Sequence, residues 1–133
     1  MGSPDHPPGA PQTSVAHRKV ALVIEDQILI AFHIEDELRI MGFAQILKAE
    51  TFAEAMFALE TMTPSLIVSD CRIGAETADT VALRTLDQGI PLLLIAADVE
   101  NVRGSQMFRH AIVIPKPYVP AELRCAVGKL TGP

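Results

Sequence analysis

Residues 20–27 read VALVIEDQ, five apolar residues followed by two adjacent carboxylates, Glu25 and Asp26. An apolar run of this length before a helical pattern is typical of a buried strand. One acid would be enough to cap the helix that follows, because the helix dipole and the free N–H groups of its first turn favour a negative charge. Whether the second acid has a use depends on the other charges that the fold brings beside it.

Four more apolar runs follow along the chain, and helical patterns separate them. We predict strands at residues 20–24, 44–49, 65–70, 91–96 and 111–114, and helices at residues 27–41, 51–63, 79–88 and 121–130. Several strands are apolar at almost every position, as expected for a parallel sheet that helices cover on both faces. The alternation predicts an α/β fold, a doubly wound five-stranded parallel sheet with right-handed crossovers.

Two helical segments carry more specific signals. Thr51 and Glu54 have the spacing of a capping box at the start of the second helix. The residues of that helix that are spaced as a core face are Phe52, Met56, Phe57 and Leu59. Residues 98–110 contain Gly104 and β-branched valines without a clear apolar stripe. We therefore expect a short or mobile helix in that segment.

Composition limits the domain count and the class of partner. The chain has 133 residues, 49% of them hydrophobic, which suits one domain with a core that needs no disulfides or metal. Residues 1–17 are rich in Pro, Gly and polar residues, so we predict a disordered tail there and a folded domain over residues 18–131. The net charge of −5 and the lack of a Lys/Arg cluster argue against direct nucleic-acid binding.

The cysteines and the hydropathy pattern bear on location. Cys71 and Cys125 are far apart in sequence and have no metal-ligand spacing, which suits a reducing compartment. No apolar run approaches the length of a membrane span, so we expect no membrane insertion. The sequence therefore favours a cytoplasmic location.

Acids follow two of the predicted strands, Glu25 and Asp26 after the first and Asp70 after the third. The carboxyl ends of parallel strands meet at one edge of the sheet, where ligands bind in folds of this class. Three carboxylates at one edge would repel one another unless a cation neutralised them, and without His or Cys ligands they favour Mg²⁺. Lys116, after the fifth strand, adds an ammonium that can neutralise a carboxylate or a phosphoryl oxygen.

In combination, these motifs resemble the receiver domain of bacterial two-component response regulators, over residues 19–130. The resemblance implies a flavodoxin-like fold with strand order 2-1-3-4-5. It also implies that Asp70 is the phosphoacceptor and that Lys116 contacts the phosphoryl group. The peptide bond between Lys116 and the following proline would be cis. Mg²⁺ would be held by Glu25, Asp26, Asp70 and the backbone carbonyl of Arg72.

A receiver of this kind takes a phosphoryl group from a sensor histidine kinase or a histidine phosphotransfer protein and acts through contacts with a downstream protein. It is a phosphoacceptor that promotes its own Mg²⁺-dependent phosphorylation and dephosphorylation, rather than an enzyme in the usual sense. Because the last predicted helix ends near residue 130, we expect the stand-alone type.

The chain departs from the family at the switch residues. Ala96 stands where the family has a Thr or Ser that binds a phosphoryl oxygen, and Val113 replaces the usual aromatic residue of the fifth strand. The backbone N–H of Ala97 could still bind that oxygen. Arg72 and Asp98 flank the site in the family's geometry and are placed to pair across its mouth.

These departures leave an alternative open. A pseudo-receiver would bind a kinase or another regulator without a switch driven by phosphorylation; the missing Thr and aromatic residue favour it, and the intact acids and Lys116 oppose it. A small Mg²⁺-dependent phosphohydrolase would share the Asp70 nucleophile but would need a general acid, for which Arg72 is a poor candidate.

Overall fold

The structure is a computed structural model that describes residues 19–132. Its main sheet has five parallel strands in the order β2-β1-β3-β6-β7, and β4 and β5 form a separate two-stranded sheet. The strands are β1 (Val20–Ile24), β2 (Gln45–Ala49), β3 (Leu66–Asp70), β4 (Arg72–Ile73), β5 (Glu76–Thr77), β6 (Leu92–Ala96) and β7 (Ile112–Pro115). The helices are α1 (Ile28–Ile40), α2 (Phe52–Ala58), α3 (Asp79–Gln88), α4 (Val99–Arg103) and α5 (Pro120–Thr131), with a 3₁₀ turn at Gln106–Phe108.

The predicted fold class is confirmed. Counted within the main sheet alone, the strand order is 2-1-3-4-5, and all four pairings are parallel. The tail predicted for residues 1–17 lies outside the described residues. No helix within residues 19–132 is long and apolar enough to cross a membrane.

Alternate residues of each strand enter two core clusters, one on each face of the sheet. Leu22 and Ile24 pack on the face covered by α2 and α3, and Ala21 and Val23 pack on the face covered by α1 and α5. Every residue of β3 and β6 is buried, so both faces of these strands exclude water. Truncating one of these leucines, such as Leu94, to Ala would cost about 2–5 kcal/mol of unfolding free energy.

The second helix is shorter than its apolar pattern predicted. It ends at Ala58 instead of residue 63, and Phe57 is 73% exposed, so its assignment to the core face was wrong. The buried stripe is Phe52, Ala55 and Leu59, spaced by three and four residues. Phe57 lies between two members of that stripe and therefore points away from the core.

The predicted capping box of α2 forms, but the Glu54 side chain binds a different backbone N–H from the usual one. Thr51 Oγ1 accepts a hydrogen bond from the Glu54 N–H at 3.0 Å. The Glu54 carboxylate accepts from the N–H of Glu50, one residue before the cap, at 2.8 Å. Both hydrogen bonds satisfy N–H groups at the start of the helix.

The loop after β3 contains a hairpin that the sequence pattern did not predict. Arg72 pairs with Thr77 and Ile73 with Glu76, and Gly74 makes the turn with a positive φ of 63°. A positive φ strains any residue with a Cβ, which explains the glycine.

The helix within residues 98–110 is short, as predicted. The helix α4 has five residues, and a 3₁₀ turn of three residues follows it. Asp98 caps α4 by accepting a hydrogen bond from the Asn101 N–H at 3.2 Å.

Candidate functional site

The carboxyl ends of β1 and β3 bring the predicted acids together. Glu25 directly follows β1 and Asp70 ends β3, two strands that pair in parallel register. Oxygens of Glu25, Asp26 and Asp70 lie within 4.8 Å of one another. Glu25 and Asp70 are buried and Asp26 is exposed, so the cluster opens to solvent on one side.

Lys116 reaches the same cluster from the end of β7. Its Nζ donates to Asp70 Oδ1 at 3.1 Å and to Oδ2 at 2.9 Å. The Lys116 backbone N–H donates to the Ala96 carbonyl at 3.0 Å, which fixes the residue to the end of β6. The peptide bond between Lys116 and Pro117 is cis, as the resemblance implied.

The charges of the cluster do not balance, because three carboxylates face one ammonium. Burial raises the pKa of Glu25 to about 7, a hydrogen bond from the Gln27 backbone opposes the shift, and the Asp70 charge adds to it. Burial also raises the pKa of Asp70, although the hydrogen bond and charge of Lys116 oppose the shift. Burial alone would lower the pKa of Lys116, but the Asp70 carboxylate outweighs it and raises that pKa. A further cation would relieve the excess of negative charge.

The donor set fits a hard divalent cation. All three convergent groups are carboxylates, and the exposed Asp26 leaves room for water on the ion, which Mg²⁺ retains in most protein sites. Arg72, whose carbonyl the resemblance adds to this set, lies two residues past Asp70 at the start of β4.

The positions of the missing switch residues lie beside the cluster. Ala96 is the last residue of β6 and is 3% exposed, and Val113 on β7 is 4% exposed. Ala97 follows as an exposed residue, so its backbone lies at the surface next to the hydrogen bond of Lys116 with Ala96. A methyl side chain at Ala96 cannot donate a hydrogen bond to a group bound at Asp70.

The pairing of Arg72 with Asp98 across the mouth of the site is not formed. The Asp98 carboxylate instead caps α4, and the ion pairs found within residues 19–132 do not include these two side chains. Arg72 lines a separate groove of about 430 Å³ together with Cys71 and Glu100. Burial and the neighbouring Asp70 charge raise the pKa of the Cys71 thiol, which disfavours its thiolate form.

A contact that the sequence did not predict joins α1 to the segment after β7. His33 is exposed, and its Nδ1 lies 2.8 Å from the hydroxyl of Tyr118 in a shared hydrogen bond. Both rings line a groove of about 550 Å³ that extends from the acidic cluster along α1. Burial, with the charges of Glu25 and Glu37, raises the pKa of Tyr118 to about 12.

Comparison with known proteins identifies the fold. No family model and no curated protein matches the chain. A receiver protein from Sinorhizobium medicae superposes with a TM-score of 0.76 at 22% identity, covering 87% of this chain and 96% of that one. The PhyR receiver domain from Erythrobacter litoralis gives a TM-score of 0.71 at 25% identity, covering 85% and 89%. The PhyR stress response regulator gives 0.69 at 28% identity, covering 85% of this chain and 45% of that chain. The chain therefore has the fold of response regulator receiver domains.

Proposed function

We propose that this receiver is a phosphoacceptor in two-component signalling. Asp70 takes a phosphoryl group from a phosphohistidine of a sensor histidine kinase or a histidine phosphotransfer protein. The observation that carries the proposal is the Lys116 ammonium, 3.1 and 2.9 Å from the two Asp70 oxygens within a cluster of three carboxylates. A structural ion pair alone would not need the two further acids.

The reaction is a displacement at phosphorus. One Asp70 oxygen attacks, an O–P bond forms as the N–P bond breaks, and the electron pair of the broken bond stays on the imidazole nitrogen. The product on Asp70 is a mixed anhydride. Because the protein has little covalent work in such a transfer, its contribution is positioning and charge neutralisation. Lys116 contacts both Asp70 oxygens, so it can stay on one while the other reacts.

Glu25, Asp26 and Asp70 are the groups that would hold Mg²⁺, and we add the Arg72 backbone carbonyl to this set. When bound, the ion neutralises developing charge on the phosphoryl oxygens. Burial raises the pKa of Glu25 to about 7, and a bound cation would favour its ionised form. The proposed Mg²⁺ dependence follows from this charge excess.

The output of the domain is proposed to be a protein contact. With Ala96 in place of a hydroxyl residue, the backbone N–H of Ala97 remains to bind a phosphoryl oxygen. Weak coupling to the next loop is therefore part of the proposal. The PhyR stress response regulator is more than twice the length that this chain covers, so we propose only a receiver role, in the cytoplasm with its kinase.

The proposal is tested by incubating the full chain with Mg²⁺ and acetyl phosphate and measuring its intact mass. We expect one phosphoryl adduct that is absent without Mg²⁺ and in Asp70→Asn, but present in the control Asp87→Asn, which changes an exposed acid of α3. No adduct from acetyl phosphate or phosphoramidate would overturn the proposal. That result would favour a pseudo-receiver, for which the buried Ala96 and Val113 are the motivating observation.

A further inference from the structure

The segment that carries Lys116 has few backbone hydrogen-bond donors. Residues 115–120 include three prolines, at 115, 117 and 120, which have no N–H group. The Lys116 N–H donates to Ala96, and the Val119 N–H is used locally by the Glu122 carboxylate. The backbone between Lys116 and α5 therefore depends on side chains for its position.

Tyr118 supplies a side-chain anchor for this segment. Its hydroxyl shares the 2.8 Å hydrogen bond with His33 Nδ1, and the ring centroids are 5.8 Å apart. Among the residues that the structure describes, this is the one hydrogen bond that ties Pro117 or Tyr118 to another element. His33 lies on α1, the helix that starts directly after Glu25 and Asp26. The contact thus joins the two segments that supply the charges of the site.

We infer that His33 and Tyr118 are positioning residues that hold the Lys116 segment against α1 and so keep the Lys116 ammonium at Asp70. This inference rests on the proposed function. The lysine side chain has four rotatable bonds and is partly exposed, so the position of its backbone decides how often Nζ meets Asp70. One end of the segment is fixed by Ala96, and the Tyr118 hydroxyl fixes the other.

The hydrogen bond of the Tyr118 hydroxyl can be removed without changing how the Tyr118 ring packs. The Tyr118 ring packs against the core cluster on the α1 and α5 side of the sheet, and a Phe ring would fill the same space. The oxygen adds only the hydrogen bond to His33. Removing it tests the anchor without opening a cavity.

The anchor lies away from the missing switch residues. Ala96 and Val113 lie on β6 and β7, whereas His33 lies on α1 and Tyr118 in the segment between β7 and α5. With no hydroxyl at residue 96, the hydrogen bond of Tyr118 with His33 is a side-chain restraint on the backbone that follows Lys116.

The test compares rate constants of phosphorylation by acetyl phosphate, measured by intact mass, with Mg²⁺ affinity measured in parallel. We expect Tyr118→Phe and His33→Leu each to lower the rate constant about fivefold, the worth of one ordinary hydrogen bond, with Mg²⁺ affinity unchanged. His33→Asn, whose side-chain amide occupies the place of Nδ1, should keep the wild-type rate. The double variant Tyr118→Phe/His33→Leu should be no slower than either single variant, because both remove the same contact.

Arg124→Gln is the matched control. It breaks another tertiary contact of α1, the 2.8 Å ion pair of Arg124 with Glu37, and leaves the Lys116 segment untouched. We expect no change in rate. The inference is overturned if the single variants keep the wild-type rate, if His33→Asn is as slow as His33→Leu, or if the effects of the single variants multiply in the double variant.

A second readout separates this inference from the proposed function. In the free protein, amide exchange at Lys116 reports the hydrogen bond to Ala96. Tyr118→Phe and His33→Leu should speed that exchange about fivefold, and His33→Asn should not. If the wild type accepts no phosphoryl group, the proposed function fails, and unchanged exchange at Lys116 in the variants would then refute the anchor as well.

Discussion

The two halves of the carboxyl edge of the sheet differ in how many of the side chains expected of a receiver they carry. At β1 and β3, three carboxylates form a compact set of charges with Lys116, which reaches them from the end of β7. At β6 and β7, Ala96 and Val113 offer no hydroxyl and no aromatic ring, and α4 has only five residues. The difference separates two tasks, accepting a charged group and passing on a change in shape. Under the proposed function, the side chains for the first task are present without those that serve the second.

The largest effect expected is that of removing the ammonium. Lys116→Met leaves three carboxylates without a neutralising side chain, so phosphorylation by a small donor should slow by roughly 10²–10³-fold, as for the loss of a charge-stabilising donor. Intact mass against time measures this. The matched variant Lys129→Met changes an exposed lysine near the end of α5 and should keep the wild-type rate. Equal rates for both variants would show that Lys116 has no part in the reaction.

Next in size is the loss of a ligand for the cation. Asp26→Asn removes the exposed carboxylate of the cluster, and the remaining groups are too poor in charge to dehydrate Mg²⁺. We expect Mg²⁺ affinity to fall at least about tenfold in a titration followed by amide shifts, in line with losses at metal sites. Asp36→Asn, an exposed acid of α1, is the control. Unchanged titration shifts in Asp26→Asn would place the ion elsewhere.

On the other half of the edge, residues 98–110 should open more readily than the central strands. The segment has a short helix and a 3₁₀ turn, and it buries few side chains, among them Val102 and Phe108. Native-state amide exchange should therefore be faster there than in β3 and β6 by a clear margin. Protection equal to that of the central strands would contradict the prediction.

The same segment should respond to acid. Burial lowers the pKa of His110. Among the described residues its Nδ1 is buried without a hydrogen-bond partner, and its Nε2 lies 2.9 Å from the Thr85 hydroxyl. In the unfolded chain this histidine takes up a proton near pH 6.5, whereas in the folded chain it does so at a lower pH, so its contribution to stability is lost as the pH falls below about 6.5. The raised pKa of Glu25 acts in the opposite direction over the same pH range, so the His110 contribution is measured by comparing variants. The melting temperature of His110→Asn relative to the wild type should rise between pH 7.5 and 5.5, and that of His33→Asn should change less. An identical pH profile in both variants would refute it.

The fold could be predicted because its central strands are apolar at nearly every position and acids mark the ends of the first and third strands. The strands β3 and β6 are buried at every position, so their apolar runs alone indicate strands that helices cover on both faces. The end of α2 could not be predicted, since its apolar pattern continues past Ala58 although the buried stripe ends at Leu59. The hairpin of β4 and β5 was missed because two-residue strands leave no periodicity.

The grouping of charged residues at the candidate site could also be predicted from the sequence. The carboxyl ends of parallel strands lie at one edge of the sheet, whatever path the connections between them take. The hydrogen bond of His33 with Tyr118 did not, because 85 residues separate the two and neither has a local pattern that names the other. The pairing expected of Arg72 with Asp98 failed since Asp98 has a nearer partner, the free N–H group at the start of α4.

The measurement that tests the separation of the two tasks most directly is a comparison of backbone amide shifts with and without beryllofluoride and Mg²⁺, in the wild type and in Ala96→Thr. A bound group moves a loop only by the difference in its interactions with the two loop positions, and the hydroxyl that would favour one of them is absent. A hydrogen bond to a charged group contributes about 1.5–3 kcal/mol, the size of a typical allosteric coupling. We predict that wild-type shifts concentrate at residues 25–26, 70–72 and 116–118, and that Ala96→Thr extends them through residues 97–114. Large wild-type shifts through residues 97–114 that Ala96→Thr does not increase would contradict the account.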